Sequence, residues 1–377
     1  MRHLLTVQDV ADSIAAITKV NPLFKGKELF ITLIANEKAG GFTQKSKSVK
    51  NKLLFQKAKE RAEKKEVLVS SVQTKIFLTE YPRHAEELAA AEVAQFLALK
   101  NENAFHLIVA CGGDGTSLEV QTGLYKASLS SQQKKNAVMN NIAVFRLPMG
   151  TGNDGTDGKT VEESLAILEG PNHFALSKVV TVKSNPLAGE NEWYSFNIAS
   201  IGLDAYVVYK TNQMKSKVPG NSYHLWVNLS ALGYNRLFPP KSARFEIFDE
   251  NGNKTEDFEQ SFEMLVFGLS GHRCYGGGHH ILPNESNICL VQKVTSLEIA
   301  KYNKHFVDGS FVNTKIGKLY SGSKAVVHYD HDIFCQLDGE EHLLTKAHFP
   351  LEMSLSEPVL QILESDDLSV DKGAVRK

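Results

Sequence analysis

Along the first 170 positions, apolar residues fall in short blocks separated by helical patterns. Glu28–Ala35, Lys75–Thr79, Phe105–Ala110 and Ile142–Leu147 are runs of strand length in which apolar residues dominate. Ser46–Lys65, His84–Lys100, Ser117–Ala127 and Val161–Glu169 predict helices. Ahead of them Val7, Val10, Ile14 and Ile17 mark a short amphipathic one. Thr160 with Glu163 forms a capping box before Val161, and Gly170 stops that helix. Apolar strands alternating with helices predict a parallel sheet covered on both faces. Phosphate-bearing ligands of such sheets lie at the carboxyl ends of the strands.

From about Ser177 the pattern changes. Val179–Lys183, Trp193–Ile198, Arg244–Phe248, Met264–Gly268, Ile288–Lys293, Ala325–Tyr329 and Phe334–Leu337 are short runs rich in β-branched and aromatic residues. Turn pairs such as Asn251-Gly252 and Asp338-Gly339 punctuate them, which predicts a mainly antiparallel β domain. One helical interlude, from Tyr206 to Arg236, interrupts it.

Composition narrows the class. The chain has 377 residues, 42% hydrophobic and 23% charged, with a formal net charge of -1. These values fit two globular domains and exclude a disordered chain or an electrostatic nucleic-acid binder. No apolar run reaches the roughly 18–20 residues of a spanning helix. Asp9, Asp12 and Lys19 deny the amino terminus the apolar core of a signal peptide. Cys111, Cys274, Cys289 and Cys335 are widely spaced and form no CxxC pair. The expectation is a cytoplasmic protein with reduced thiols.

Three strand-end loops carry the candidate chemistry. Cys111-Gly112-Gly113-Asp114-Gly115-Thr116 joins a buried strand to a helix. Its glycines let backbone N–H groups approach a ligand, and the helix start adds a positive dipole end, so phosphate is the natural guest. Asp114 would repel that phosphate unless a cation such as Mg²⁺ lay between them. Pro148-Met149-Gly150-Thr151-Gly152-Asn153-Asp154 follows the fourth strand and should flank the first loop. Asn36-Glu37-Lys38-Ala39-Gly40-Gly41 follows the first strand at the same edge. Gly150, Gly152 and Gly155 fit GxGxxG, but no strand carries an acidic residue about 20 positions later, as a dinucleotide site would require. Gly158-Lys159-Thr160 fails as a P-loop because Asn153 stands where glycine is needed.

The ordered set of segments resembles the diacylglycerol kinase catalytic domain family, which includes bacterial lipid kinases, diacylglycerol kinases, ceramide kinase and sphingosine kinases. The resemblance rests on Asn36 with Gly40-Gly41, Leu78-Thr79-Glu80 with His84-Ala85, and Ala110–Thr116 with Glu119-Val120. It continues through Leu147–Asp154, Phe196–Ala205, Tyr275–Gly278 with Pro283, and Leu337–Glu340. It implies an α/β, NAD kinase-like two-domain fold: a Rossmann-like parallel nucleotide domain and an antiparallel β-sandwich, with ATP in the cleft between them. The implied boundaries are 25–172 for the nucleotide domain and 173–345 for the lipid-substrate domain. Residues 346–377 would return toward the first domain, with a frayed end.

The implied activity is transfer of the γ-phosphoryl group of ATP to a lipid hydroxyl at the membrane surface. By matching positions, Asn36, Thr79, Gly112, Gly113, Asp114, Gly115, Thr116, Gly150, Thr151, Gly152 and Asn153 would hold the nucleotide, and Asp114 would meet Mg²⁺. Glu340 would face the same cleft. The base is Asp338 or Asp114, with Asp338 favoured because Asp114 is better explained as the magnesium partner. The chain departs from the family where Asn284-Glu285-Ser286-Asn287 replaces acidic residues of a second, structural magnesium site. An NAD kinase shares the Gly-Gly-Asp-Gly-Thr loop, but the Thr-Gly-Ser-Thr-Ala segment expected of it is missing. A nucleotide- or lipid-binding protein without catalysis is the other alternative. The sequence names neither the acceptor lipid nor the oligomeric state, so a homodimer stays open. His279-His280 and His328–Asp332 read as polar turns, and Trp226, Leu229, Leu232 and Leu237-Phe238 as a helix face packed in the core or serving as a lid.

Overall fold

The alternating first half folds into a six-stranded sheet between two helical layers. The computed structural model describes residues 4–150, 153, 155–189, 191–215, 233–269, 282, 286–308 and 310–366. The chain divides into two units, Met1–Lys178 with Pro358–Lys377, and Val179–Glu357.

In the first unit β1 (Glu28–Ala35), β2 (Ser71–Leu78), β3 (Ala104–Gly112) and β4 (Ile142–Pro148) run parallel in the order β2-β1-β3-β4. The helices are α1 (Val7–Lys19), the short α2 (Gly40–Thr43), α3 (Lys45–Ala62), α4 (His84–Ala98), α5 (Asp114–Ser130), α6 (Gln132–Asn140) and α7 (Val161–Glu169). Side chains alternate across each strand, so one strand feeds two layers. Leu29, Leu33, Leu107, Val109 and Phe145 bury against Ile14 of α1, Phe55 of α3 and Leu165 of α7. The interleaved Ile34, Ile108, Ala110 and Val144 are also buried, on the side of α4, α5 and α6.

The sheet is completed by β5 (Asn172–Ser177) and the carboxy-terminal strand Leu360–Ser365. That last strand lies between β4 and β5, parallel to the former and antiparallel to the latter. It moves both expected boundaries. Residues 172–177 stay with the first unit because they pair with it, so the break falls at 178/179 rather than 172/173. The return to the first unit begins at 358 rather than 346, because Leu351–Leu355 is still a strand of the second unit.

The second unit is one long, curled antiparallel sheet. Its strands are β6 (Val180–Lys183), β7 (Glu192–Ser195), β8 (Ile198–Gly202), β9 (Ser242–Phe248), β10 (Lys254–Gly268), β11 (Ile288–Gln292), β12 (Gly317–Tyr320), β13 (Lys324–His328), β14 (Ile333–Leu337), β15 (Glu340–Leu344) and β16 (Leu351–Leu355). The expected sandwich arises from β10, whose first half pairs with β9 and whose second half pairs with β8 and β11. Phe245, Ile247, Val327 and Met353 from one arm share a core with Ile201, Leu265, Phe267 and Leu290 from the other. The Asn251-Gly252 turn links β9 to β10, with Gly252 at φ 80°. Of the helical interlude the structure describes α8 (Leu203–Lys215) and the turn Tyr234–Leu237. Trp226, Leu229, Leu232, His279 and His280 lie outside the described residues.

A carboxyl group is built into the wall of this unit. Glu263, on β10, is 1% exposed, with Oε1 buried and without a partner and Oε2 accepting the Val294 N–H at 3.5 Å. Burial raises its pKa to about 8, against the opposing pull of the Val294 N–H. The folded protein keeps the proton where the unfolded chain has lost it. This acid therefore leaves stability untouched below the unfolded pKa near 4.5 and lowers it as pH rises toward 8. Glu263→Gln should flatten that decline, so urea midpoints of variant and parent should diverge between pH 5 and pH 8 in the variant's favour. Parallel midpoints across that range would show that the carboxyl is not neutral in the fold.

Candidate active site

Three loops leave the carboxyl ends of β1, β3 and β4, and hydrogen bonds tie them together. The Asn36 N–H donates to the Cys111 carbonyl at 3.0 Å, and the Gly41 N–H donates to Met149 at 2.8 Å. The Met149 N–H donates to the Gly112 carbonyl at 2.9 Å. The Asn36 side chain folds back to accept the Lys38 N–H at 3.0 Å, closing an Asx turn.

The two glycine loops meet backbone to backbone. A β-carbon on Gly150 would sit 2.5 Å from the Gly113 Cα, and one on Gly112 would sit 2.4 Å from the Thr116 hydroxyl. No side chain fits at either position without moving a loop. Gly113 caps α5, whose first turn contains Asp114, Gly115 and Thr116. The first N–H groups of a helix lack intrahelical acceptors and carry the positive end of its dipole.

Asp114 is the clasp. Its Oδ2 accepts the Asn153 N–H at 2.8 Å, and its Oδ1 accepts the Gly155 N–H at 3.3 Å. Asn153 takes φ 60°, and its Oδ1 accepts the Gly150 N–H at 3.0 Å. Asparagine tolerates this left-handed backbone better than most residues. Thr151 and Gly152, at the tip of the same loop, lie outside the described residues. Thr79 follows β2 on this edge and donates its N–H to the Ala35 carbonyl at 2.9 Å. Asn36, Thr79, Gly112–Thr116, Gly150 and Asn153 therefore share one sheet edge. The Glu119 carboxylate adds a tie that its place in the motif did not reveal, accepting the Arg83 and Ala85 N–H groups at the start of α4.

Behind the loops lies an ion pair that sequence reading missed. Arg146 and Asp157 are 1% and 2% exposed at the side chain and pair bidentately. The Asp157 N–H returns a bond to the Arg146 carbonyl at 3.2 Å. Arg146 also donates to Gln121 of α5 at 3.1 Å, and Gln121 donates to the Ser117 carbonyl at 3.1 Å. The pair fixes the far end of the Gly150 loop to the helix that begins at Asp114. The signal was present: an arginine inside the apolar run Ile142–Leu147 demands a buried anion.

In the second unit Asp338 and Gly339 form the turn between β14 and β15, at φ 48° and 93°. The Asp338 Oδ1 accepts from the Ser195 hydroxyl at 2.6 Å and from the Asn197 and Ile198 N–H groups at 3.1 and 2.9 Å. Its Oδ2 accepts the Phe196 N–H at 2.6 Å. Asp338 thus holds the segment between β7 and β8. Gln336 reaches the same turn, accepting the Gly339 N–H at 3.0 Å and donating to Asp204 at 3.1 Å. Burial raises Asp204 to about 6, against hydrogen bonds from Ser200 and Gln336. Glu340 is exposed at the start of β15.

Among the described residues, no group of three or more His, Cys, Asp or Glu side chains could hold a metal. The Asn287 amide, at the departed acidic stretch, is engaged by Gly322, donating to its carbonyl at 2.7 Å and accepting its N–H at 2.9 Å.

Asp157→Asn should cost about 3–5 kcal/mol, the penalty for leaving a buried arginine without its anion. Urea denaturation measures it, and a loss under 1 kcal/mol would mean that Arg146 finds another anion.

Comparisons with known proteins accord with this geometry. Residues 31–167 match the diacylglycerol kinase catalytic domain. YtlR of Bacillus subtilis is 28% identical over 229 residues, 58% of this chain and 65% of that protein. A "Probable lipid kinase YegS-like" protein of Xanthomonas axonopodis is 28% identical over 184 residues, 47% of this chain and 52% of its own. The matched region is thus between half and two thirds of these relatives' lengths. A crystal structure from Bacillus anthracis covers 90% of this chain and 97% of its own with TM-score 0.53 at 14% identity. A second, titled a diacylglycerol kinase from the same organism, covers 89% and 96% with TM-score 0.50 at 12% identity. These structures share the fold, a parallel α/β sheet with a curled antiparallel sheet. Over residues 31–167 the chain is therefore similar to the catalytic domain of the diacylglycerol kinase family.

Proposed function

We propose that this chain is an ATP-dependent lipid kinase that transfers a γ-phosphoryl group to a lipid hydroxyl, with Mg²⁺. The observation that carries the reading is the junction of the two glycine loops. Gly113 and Gly150 meet without side chains, at the start of the 17-residue α5, and Asp114 bridges the two loops. Backbone donors converging on a helix start suit the phosphates of a nucleotide. Relatives named as lipid kinases supply the acceptor class.

In this reading Gly112–Thr116, Gly150 and Asn153 cradle the phosphates, while Asn36 and Thr79 border the nucleotide. Asp114 would hold Mg²⁺, an ion that takes one or two carboxylates along with other oxygen donors, and the charge neutralisation it supplies would let a carboxylate stand beside phosphate. The lipid hydroxyl oxygen forms a bond to the γ-phosphorus as the bond to the β-γ bridging oxygen breaks, and ADP leaves. The hydroxyl proton passes to Asp338, which also orients the acceptor, with Glu340 beside it. A carboxylate gripped by four donors is a weak base. Such transfers demand positioning and charge neutralisation more than proton abstraction, so a weak base suffices. No helix among the described residues is long and apolar enough to cross a membrane.

The test is transfer of label from ATP with Mg²⁺ to a panel of diacylglycerol, sphingoid bases, ceramide and phosphatidylglycerol in detergent micelles, with NAD alongside. Labelled lipid is the expected product. Label in NADP would replace this reading with a soluble kinase, and no labelled product would leave a binding protein. Asp114→Asn should lower turnover roughly a hundredfold or more. Asp338→Asn should lower kcat while the KM for ATP holds. It should also cost about 1–3 kcal/mol of stability, because an amide leaves some of the four donors unmet. Loss of ATP binding in Asp338→Asn would overturn the base assignment.

A further inference from the structure

The helix Ser296–Asp308 presents two faces. Ile299, Tyr302 and Phe306 pack into a core shared with Tyr234 and Val294. Leu297, Lys301 and Lys304 follow at four- and three-residue steps, so they form one stripe on the opposite side. Leu297 is 85% exposed, and both lysines are exposed.

The surroundings extend the stripe. Asn235 donates to the Val294 carbonyl at 2.7 Å, which brings the turn Tyr234–Leu237 against the start of this helix. Leu237, on that turn, is 61% exposed and next to exposed Arg236. Exposed Lys293 precedes the helix. Exposed Lys315 acts with Lys301 on the Glu298 carboxylate. Among the described residues, Arg236, Lys293, Lys301, Lys304 and Lys315 enter no salt bridge. Two acids lie near these five cations, Glu298 and Glu263. Glu298 caps its own helix, accepting from the Thr295 N–H and hydroxyl at 2.9 and 3.0 Å. Glu263, which faces Lys293, is buried and its pKa is raised to about 8.

One exposed leucine is ordinary. Two, set among five cations that enter no salt bridge among the described residues, form a surface with a definite complement. We propose that this face of the second unit docks on an anionic lipid bilayer, with Leu237 and Leu297 entering the interface and the cations meeting the headgroups. Apolar tips flanked by basic side chains match a surface that is anionic outside and apolar beneath. A nucleic acid or an acidic protein would use the charge and leave the leucines in water. The surface rests on the lipid-kinase reading for its purpose but not for its chemistry.

The full chain is sedimented with phosphatidylcholine vesicles and with vesicles containing 30% phosphatidylglycerol, a composition chosen at roughly the level where each nearby lysine adds about 1 kcal/mol. Binding to the anionic vesicles alone, weakened by raised salt, is expected. Leu297→Ser and the double variant Lys301→Glu/Lys304→Glu should each weaken it, the latter about tenfold or more. Both should keep the parent's melting temperature and its turnover on micelle-dispersed lipid, since neither touches the loops. Equal binding to both vesicle types, no binding, or variants that bind as the parent does would overturn the proposal. Should a variant misfold, the salt response of the parent decides, and salt-independent binding rejects the surface. Anionic-vesicle binding by a chain that phosphorylates no lipid would uphold the surface and reject the kinase reading.

Discussion

A β-carbon at Gly150 would lie 2.5 Å from the Cα of Gly113, and that distance governs how the rest of the first unit is arranged. Two loops brought this close expose backbone rather than side chains at the sheet edge. Their carbonyls and N–H groups must then be shared out between them. Met149 donates to Gly112 and accepts from Gly41, so the β1, β3 and β4 loops form one surface. Such a surface offers donors to an anion without the entropy cost of ordering long side chains. It also explains a carboxylate among would-be phosphate donors, because Asp114 consumes the Asn153 and Gly155 N–H groups of the neighbouring loop.

Buried or half-buried carboxylates recur in this protein as clasps between segments distant in sequence. Asp114 joins two loops, Asp157 anchors one of them to Arg146, and Asp338 gathers four donors from Ser195–Ile198. Asp204 holds Gln336, which holds the turn carrying Asp338. A carboxylate accepts several hydrogen bonds at once and lacks a donor that could conflict with them. It can therefore organise runs of backbone N–H groups where an amide would clash. A carboxylate gathering several N–H groups in one place and a carboxylate reacting in another are hard to tell apart from residue type alone.

That ambiguity marks what the sequence showed and what it hid. The strands Glu28–Ala35 and Ile142–Pro148 and the helix Val161–Glu169 were legible because periodicity, capping and burial agreed there. The glycine loops were legible because three glycines beside a buried strand have few other uses. The helix Gln132–Asn140 was not, since only Ala137 and Val138 are buried in an otherwise polar stretch. His106 was also silent. It sits in the apolar β3, 3% exposed, beside Thr32 and Glu92, and burial, then Lys75, depresses its pKa to about 3. Partners from β1 and α4 that make such a residue tolerable are contributed by tertiary structure, and no local pattern announces them.

The most consequential hidden element is the strand Leu360–Ser365. It inserts between β4 and β5, so the last strand of the first unit comes from beyond the whole second unit. Until it arrives, β4 has a bare edge and β5, already past, has no partner in the sheet. Its buried Leu360, Ile362 and Leu363 add apolar surface to the first unit, where Leu363 joins the core packed by Phe145, Leu165 and Leu168. The first unit is thus closed by a contact of long sequence separation, the kind of contact that goes with slow folding. The β4 strand that gains this neighbour leads into Met149 and Gly150, so the loop of the candidate site gains its backing when the last strand pairs.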